Sequence, residues 1–415
     1  MNSHLTRRGI LQYGAALAAL GAPSLTRAQS PVRLSYWHHF ASQSEQKGLR
    51  RLTEMFRAKY PTISMAIETI PNAEYLTKVT ASVVANSRPD TCMIAAERFA
   101  DMYAMKALLD LSPEVAKWDR KADFKPSAWK GAERDGKPFG VPAYSFVNWM
   151  YYRKDFFEEA GLSGPPDTMQ EFLEACIKIT NPAKNRYGFG MRGGGGGHQY
   201  LMDLLIAYGS PIVVDGKPAI DRTKAIEAVR FFSDLYTKYK VVPPSAPNDS
   251  FRQIMEGFKT GQTAMIWHHT GSLAELTAAL KPNQLGTTLR PKGPVLRAAR
   301  VDNLYNGVSN DRNREAAWNW VSFWADPDPS IALLEETGYF PASFKVAQDP
   351  RITGNPLYKP AIETLSFGQN AIDTPGVEAW GQNQMFPEFQ KILVGSSTVE
   401  NAVDAMMRSL DKTLS

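Results

Sequence analysis

Apolar and polar positions alternate from the start of the described pattern: Val32, Leu34 and Tyr36 point one way, the period of a half-buried strand. The period then changes. Over residues 45–59 Leu49, Leu52 and Phe56 share one helical face, and Pro61 stops the helix. "ISMAIETI" (63–70) alternates again, residues 74–86 place Tyr75, Val79 and Val83 in helical register, "DTCMIAA" (90–96) is a buried strand, and 98–107 is helical. Strand, helix, strand, helix, strand predicts a parallel α/β layer.

"GKPFGVPAY" (136–144) interrupts this rhythm with Gly and Pro, which predicts an extended crossing into a second unit. There Thr168 and Glu171 form a capping box before a helix carrying Phe172, Cys176 and Ile179. "YGFGMRGGGGGHQY" (187–200) reads as a strand ending in a glycine loop. Residues 222–240 form a long amphipathic helix, and 250–260 another that Gly261 closes. "TAMIWHH" (263–269) is an apolar strand before the next helix start, and 285–309 reads as two strands around a Pro/Gly turn. Trp318, Trp320 and Trp324 follow at helical spacing, which is the spacing of a core face, and 399–414 closes the chain as a helix.

The first thirty residues change the picture of what folds. They have a basic start, a mildly apolar middle and a small-residue exit, and "TRRGILQ" (6–12) resembles the twin-arginine export signal. Thr26 and Ala28 suit cleavage after Ala28, which gives a periplasmic product; the apolar stretch is too short to stay in a bilayer. Arg7, Arg8 and Arg27 leave with the leader and no acid does, so the formal net charge of +5 becomes +2. A nearly neutral chain gives no support for nucleic-acid or membrane binding. Cys92 and Cys176 both sit in apolar settings and read as small buried residues. The remaining chain of about 390 residues exceeds one comfortable core, so two lobes are expected.

The chemistry concentrates in a repeated tripeptide. "YWHHF" (36–40) and "IWHHT" (266–270) contain four of the six histidines, each at the exit of a predicted strand just before a helix. In open α/β sheets that edge binds ligands. One cluster belongs to each unit, so the two can line opposite walls of one cleft.

Several further segments, in order and spacing, carry a family resemblance: "FRAKYPTISM", "RPDTCMIAAERFADMYAMKALLDLS", "GKPFGVPAYSFVNWMYYRKDFFEEAGL", "PPDTMQEFLEACIKIT" and "FKTGQTAMIW". With "YWHHF" they make the chain resemble the bacterial extracellular solute-binding proteins, the periplasmic receptors of ABC importers, in the branch that includes maltose- and glycerol-phosphate-binding proteins. The resemblance implies an α/β Venus-flytrap fold. Its two lobes are expected at 29–140, with 290–338 returning, and at 141–289, with 339–415 returning. It implies a monomer that binds a small solute, most simply a sugar, and passes it to an ABC permease, with no cofactor and no catalysis. Carried over residue by residue, it points to Trp37, His38 and His39 after the first strand, to the acid-base pair Glu97 and Arg98, and to Tyr144 near the crossing. In the second lobe it points to Arg192, His198, Trp267 with His268, and late in the chain Trp380 in "GVEAWGQNQ". His-His pairs and the five-glycine loop depart from the maltose branch.

Aromatic rings cover the C–H faces of a sugar, the task given to Trp37, Trp267 and Trp380; planar polar groups and neutral imidazoles bind its hydroxyls. His38 and His268 are the expected ligand-facing members, since successive strand side chains alternate and send His39 and His269 the other way. Two other ligands stay open. Imidazoles with Arg98, Arg192 and the turn at 270–272 could hold an anion such as a polyol phosphate or uronate. Four histidines could also bind a transition metal, although adjacent His on a strand diverge. The glycine run lacks the Lys-Ser/Thr of a phosphate loop, and no zinc-protease or nucleophile-elbow motif is present, so a secreted enzyme ranks behind a receptor.

Overall fold

The computed structural model describes residues 32–370, 372 and 374–415. The leader, with its expected cleavage after Ala28, lies outside them. Nine strands build the sheet: β1 (Val32–His38), β2 (Ile63–Thr69), β3 (Thr91–Ala95), β4 (Val141–Arg153), β5 (Tyr187–Gly190), β6 (Thr263–His269), β7 (Leu285–Thr288), β8 (Val301–Val308) and β9 (Phe340–Pro341). Their order is β2-β1-β3-β8-β4-β6-β5, and β7 and β9 also pair with β4. β1 runs parallel to β2 and β3, as the alternating pattern implies; β8 and β4 continue antiparallel.

β4 joins the two lobes. Residues up to Val147 pair with β8 in the first lobe, and those from Asn148 onward pair with β6 in the second. The chain thus crosses inside an unbroken strand. The sequence placed this crossing at 136–144, but Gly136 is at the tip of a tight hairpin between Glu133–Arg134 and Lys137–Pro138, with φ +72°. Gly there supplies the left-handed turn, not a hinge. A second crossing returns ahead of β8, and Asn148 ties the two together: its backbone N–H and Nδ2 both donate to the Arg300 carbonyl, at 3.0 and 3.2 Å.

The helices start where their caps say. Ser42 and Glu45 form a capping box at helix Gln43–Lys59, and Thr168 with Glu171 does the same at Met169–Ile179. Gly261, at φ +81°, ends Phe251–Thr260. Strand alternation in β1 divides its aromatics between two cores. Tyr36 packs on Trp320 and Trp324 below the sheet, while Trp37 joins Tyr75 and Phe99 above it. The second lobe has its own core, built on Phe172, Phe189, Phe232, Phe389, Trp267 and Trp380. Each large side chain buried there is worth about 1.5–3 kcal/mol. Cys92 and Cys176 are buried and free, and burial raises the Cys92 thiol to about 11.

Candidate functional site

A cleft of about 650 Å³ opens between the lobes over the crossing strands. Phe146 and Asn148 of β4 form its floor, with Arg300 and Asp302 at the start of β8. The walls come from residues at or just past the C-terminal ends of three strands: His39 after β1, Glu97 after β3, and His269 ending β6. This is the edge at which α/β sheets bind ligands.

The two Trp-His-His segments do meet at one cleft, through His39, which the resemblance includes, and His269, and not through His38 and His268, which strand alternation favours. His38 is fully buried: its Nδ1 accepts the Phe40 N–H at 3.0 Å and its Nε2 lies 3.2 Å from Thr69 Oγ1. His268 is equally buried, with Nδ1 2.9 Å from Ser272 Oγ. His39 and His269 line the cleft instead. The Nδ1 of His269 accepts the Gly271 N–H at 3.1 Å, which leaves Nε2 as its N–H donor. It also occupies an N–H of the 270–272 turn that the sequence offered to an anion. His39 stands edge-on to Tyr75 at 5.8 Å, and its Nδ1 has no partner among the described residues. Burial, reinforced by Arg98, lowers His39 to about 4; burial, reinforced by Arg192, does the same to His269. Both imidazoles are neutral at pH 7.

None of the three tryptophans expected to stack on a sugar reaches the cleft. Trp267 is 1% exposed and lies flat on Phe232 at 5.6 Å, with the Arg290 guanidinium 4.2 Å from its ring. Trp380 is fully buried and donates to Ser409 Oγ at 2.8 Å. Trp37 packs above the sheet under Lys78, whose Nζ is 4.9 Å from the ring. Tyr144 also belongs to the core, stacked on Tyr339 at 4.8 Å. Arg98 stands behind the wall: it lies over the Tyr75 ring and donates to Asn72 Oδ1, and Asn72 lines the cleft in its place. The aromatic faces of the cleft, apart from its histidines, are Phe146, Phe251 and Tyr200, and Leu304 adds an aliphatic one.

Arg192 and His198 are at the cleft as expected. The glycine run presents them. A Cβ at Gly193 would lie 2.3 Å from the Ala246 carbonyl, and one at Gly194 2.6 Å from that of Asn248, so these glycines let the loop lie against a neighbouring turn. Arg192 folds back and donates to the Gly195 carbonyl at 2.7 Å, and helix His198–Ala207 begins at once.

The centre of the charge network was not foreseen. Glu378 accepts from His198 Nε2 at 2.9 Å and pairs with Arg300 at 3.2 Å, and Arg300 also pairs with Asp302. Burial pushes Glu378 up, but His198 and Arg300 together outweigh it and hold the carboxyl at about 2. Burial opposes the Arg300 charge, yet Asp302 and Glu378 keep its pKa above the ordinary value. Glu97 differs: partial desolvation in the cleft raises it although its side chain keeps solvent contact, and Arg98 is 4.0 Å away. Glu378 lies two residues before Trp380, so the segment was legible and the residue was not. Asn148 and Arg300 carry no local signal, because only the pairing of β4 with β8 makes them a floor.

A model described as bacterial extracellular solute-binding protein matches residues 41–330. The chain belongs to that family. It is 24% identical over 332 residues to the maltotriose-binding protein of Pyrococcus abyssi, covering 77% of this chain and 69% of the relative. It is 23% identical over 363 residues to the sn-glycerol-3-phosphate-binding periplasmic protein of Escherichia coli, covering 82% and 80%. Its fold is that of the sugar-binding protein MalE from Xanthomonas citri, with a TM-score of 0.83 at 19% identity over 92% of this chain and 97% of that one. The two-lobed α/β architecture expected from the sequence is therefore the fold of the protein, and its family is one of extracellular solute receptors.

Proposed function

We propose that this protein is the periplasmic receptor of an ABC importer and captures a neutral polyhydroxy solute, a carbohydrate or a sugar alcohol, between its lobes. The observation that carries this reading is the charge state of the cleft. His39 and His269 are neutral, and the carboxylates of Glu45, Glu97, Asp302 and Glu378 outnumber the guanidinium groups of Arg192 and Arg300. Neutral imidazoles both donate to and accept from hydroxyls, and carboxylates accept pairs of them. An anionic ligand would meet a net negative surround, which counts against a polyol phosphate or uronate. Relatives named for maltotriose and for glycerol phosphate show that both ligand classes occur among similar proteins. Export through a twin-arginine-type leader cut after Ala28, a monomeric state, the lobe limits near 140, 289 and 338, closure about β4, and delivery to a membrane permease belong to the same proposal. The protein binds and releases its solute unchanged.

Melting at pH 7.5 with erythritol, mannitol, glucose, maltose, glucuronate and sn-glycerol-3-phosphate tests it. A ligand at 100 times its Kd stabilises the folded state by about 2.7 kcal/mol, enough to move the midpoint. A neutral member of the panel is expected to do so and the two anions are not. Stabilisation by an anion alone would overturn the reading.

A further inference from the structure

The main cleft has a neighbour. A second cavity of about 410 Å³ lies beside it, and Glu97 and Glu378 line both. Past these two carboxylates the lining changes character. Ala96 and Ala100 of helix Ala96–Ala104, Gly131, Pro375 and Ala379 line it with short side chains, and Ile372 adds a larger apolar one. Asp101, Lys130 and Asn370 supply its polar groups. The main cleft is charged and hydrogen-bonded; the side compartment has a mostly apolar lining. Each volume falls in the range of about 300–1,000 Å³ that a small ligand fills, so a single compact solute would leave one of the two unused.

The two shared carboxylates are not equivalent. Glu378 is engaged by His198 and Arg300. Asp302 is paired with Arg300, and Glu45 accepts from Tyr339. Glu97 accepts from a backbone N–H but, among the described residues, has no ion pair closer than Arg98 at 4.0 Å, and its side chain is 47% exposed. It is the acceptor of the site whose hydrogen-bonding capacity is least used, and it stands at the junction of the compartments.

We infer that the natural ligand is at least two sugar rings long, with one ring between His39 and His269 and the next on the Ala96–Ala100–Ala379 bed. Glu97 accepts hydroxyl hydrogens from both sides of the join. A pyranose ring fits that bed because its C–H face needs apolar cover while its edge needs donors and acceptors. This rests on the proposal of a neutral carbohydrate and adds its length, which excludes a lone sugar alcohol as the preferred solute.

Calorimetric titration with glucose, mannitol, maltose, trehalose and sucrose tests the length. At least one disaccharide is expected to bind about tenfold or more tightly than glucose and mannitol. Ala379 is exposed, so Ala379→Trp fills the side compartment from a position with no packing to lose. It should abolish the disaccharide advantage and leave monosaccharide affinity unchanged, with an unchanged melting point. Ala100→Phe, from helix Ala96–Ala104, should do the same and guards against misfolding of either variant. Equal affinity for glucose or mannitol and the best disaccharide, or an advantage that survives both fillings, overturns the inference while leaving the neutral-solute reading intact. Titration by none of the five, with binding of an anion, overturns both.

Discussion

The two Trp-His-His segments use one tripeptide for two different balances of core and site. Each puts its second histidine on the cleft and buries the first. Their tryptophans diverge. Trp267 is in the middle of the second lobe, parallel to Phe232 and capped by Arg290. Trp37 is near the surface of the first, 9% exposed beneath Lys78. A strand-end aromatic is therefore not a ligand platform by virtue of its position. What the strand end supplies is its final residue or the one just past it, His269 at the end of β6 and His39 just after β1, and on both walls that residue is a neutral imidazole.

The sharpest way to break this comparison is Trp267→Ala against Trp37→Ala. Truncating a fully packed Trp costs about 3–5 kcal/mol, and the Trp37 change should cost markedly less because Lys78 and solvent already cover it. Denaturant midpoints decide it; equal losses would mean that the two segments are structurally alike. Next is Arg300→Met. It strands Asp302 and Glu378 without their shared cation, and breaking such a pair costs about 3 kcal/mol or more. Unfolding should show this directly, together with lost affinity for whichever neutral sugar stabilises the wild type.

Smaller effects separate the histidines. His39→Ala and His269→Ala should each cost about 1–2 kcal/mol of affinity by calorimetry, with melting little changed. His38→Ala and His268→Ala should do the reverse. If His38→Ala weakens binding and His39→Ala does not, the assignment of the walls is wrong.

The smallest expected effect is in pH. Affinity for a neutral ligand should be flat from pH 8 to about 5.5 and then fall as His39 and His269 protonate near 4. The groups facing them are Glu45 and Arg98 at His39, Arg192 and Glu45 at His269. Glu97 titrates above its ordinary value as well, so the double variant His39→Gln with His269→Gln should reduce the slope but keep the part due to Glu97. Stability carries the same sign. The folded values lie below the ordinary 6.5 of histidine, so the unfolded chain binds more protons between pH 6.5 and 4 and the midpoint should drop across that window.

Much of this architecture was legible in the sequence. Period-2 and period-3.6 patterns are short-range properties, so β1, β2, β3 and β6 and the helices Met169–Ile179, with its capping box, and Val399–Leu414 stand where the sequence places them, while Gln43–Lys59 begins two residues earlier than its apolar face, at a Ser42 cap. The segments that border the cleft were legible for the same reason, since strand exits are visible as a change of period. Which residue of each segment reaches the cleft was decided by tertiary structure. A shift of one position along a strand reverses the face, and no local signal distinguishes His38 from His39 before β1 is laid against β2 and β3. Trp267 and Trp380 have the composition of a sugar platform, but Phe232 and Ser409, far along the chain, claim them for the core. Arg300, Glu378 and Asn148 acquire meaning only because β4 runs unbroken through both lobes and brings three remote segments under one cleft. Periodicity encodes the elements; long-range pairing and burial choose which of their atoms are left to meet a ligand.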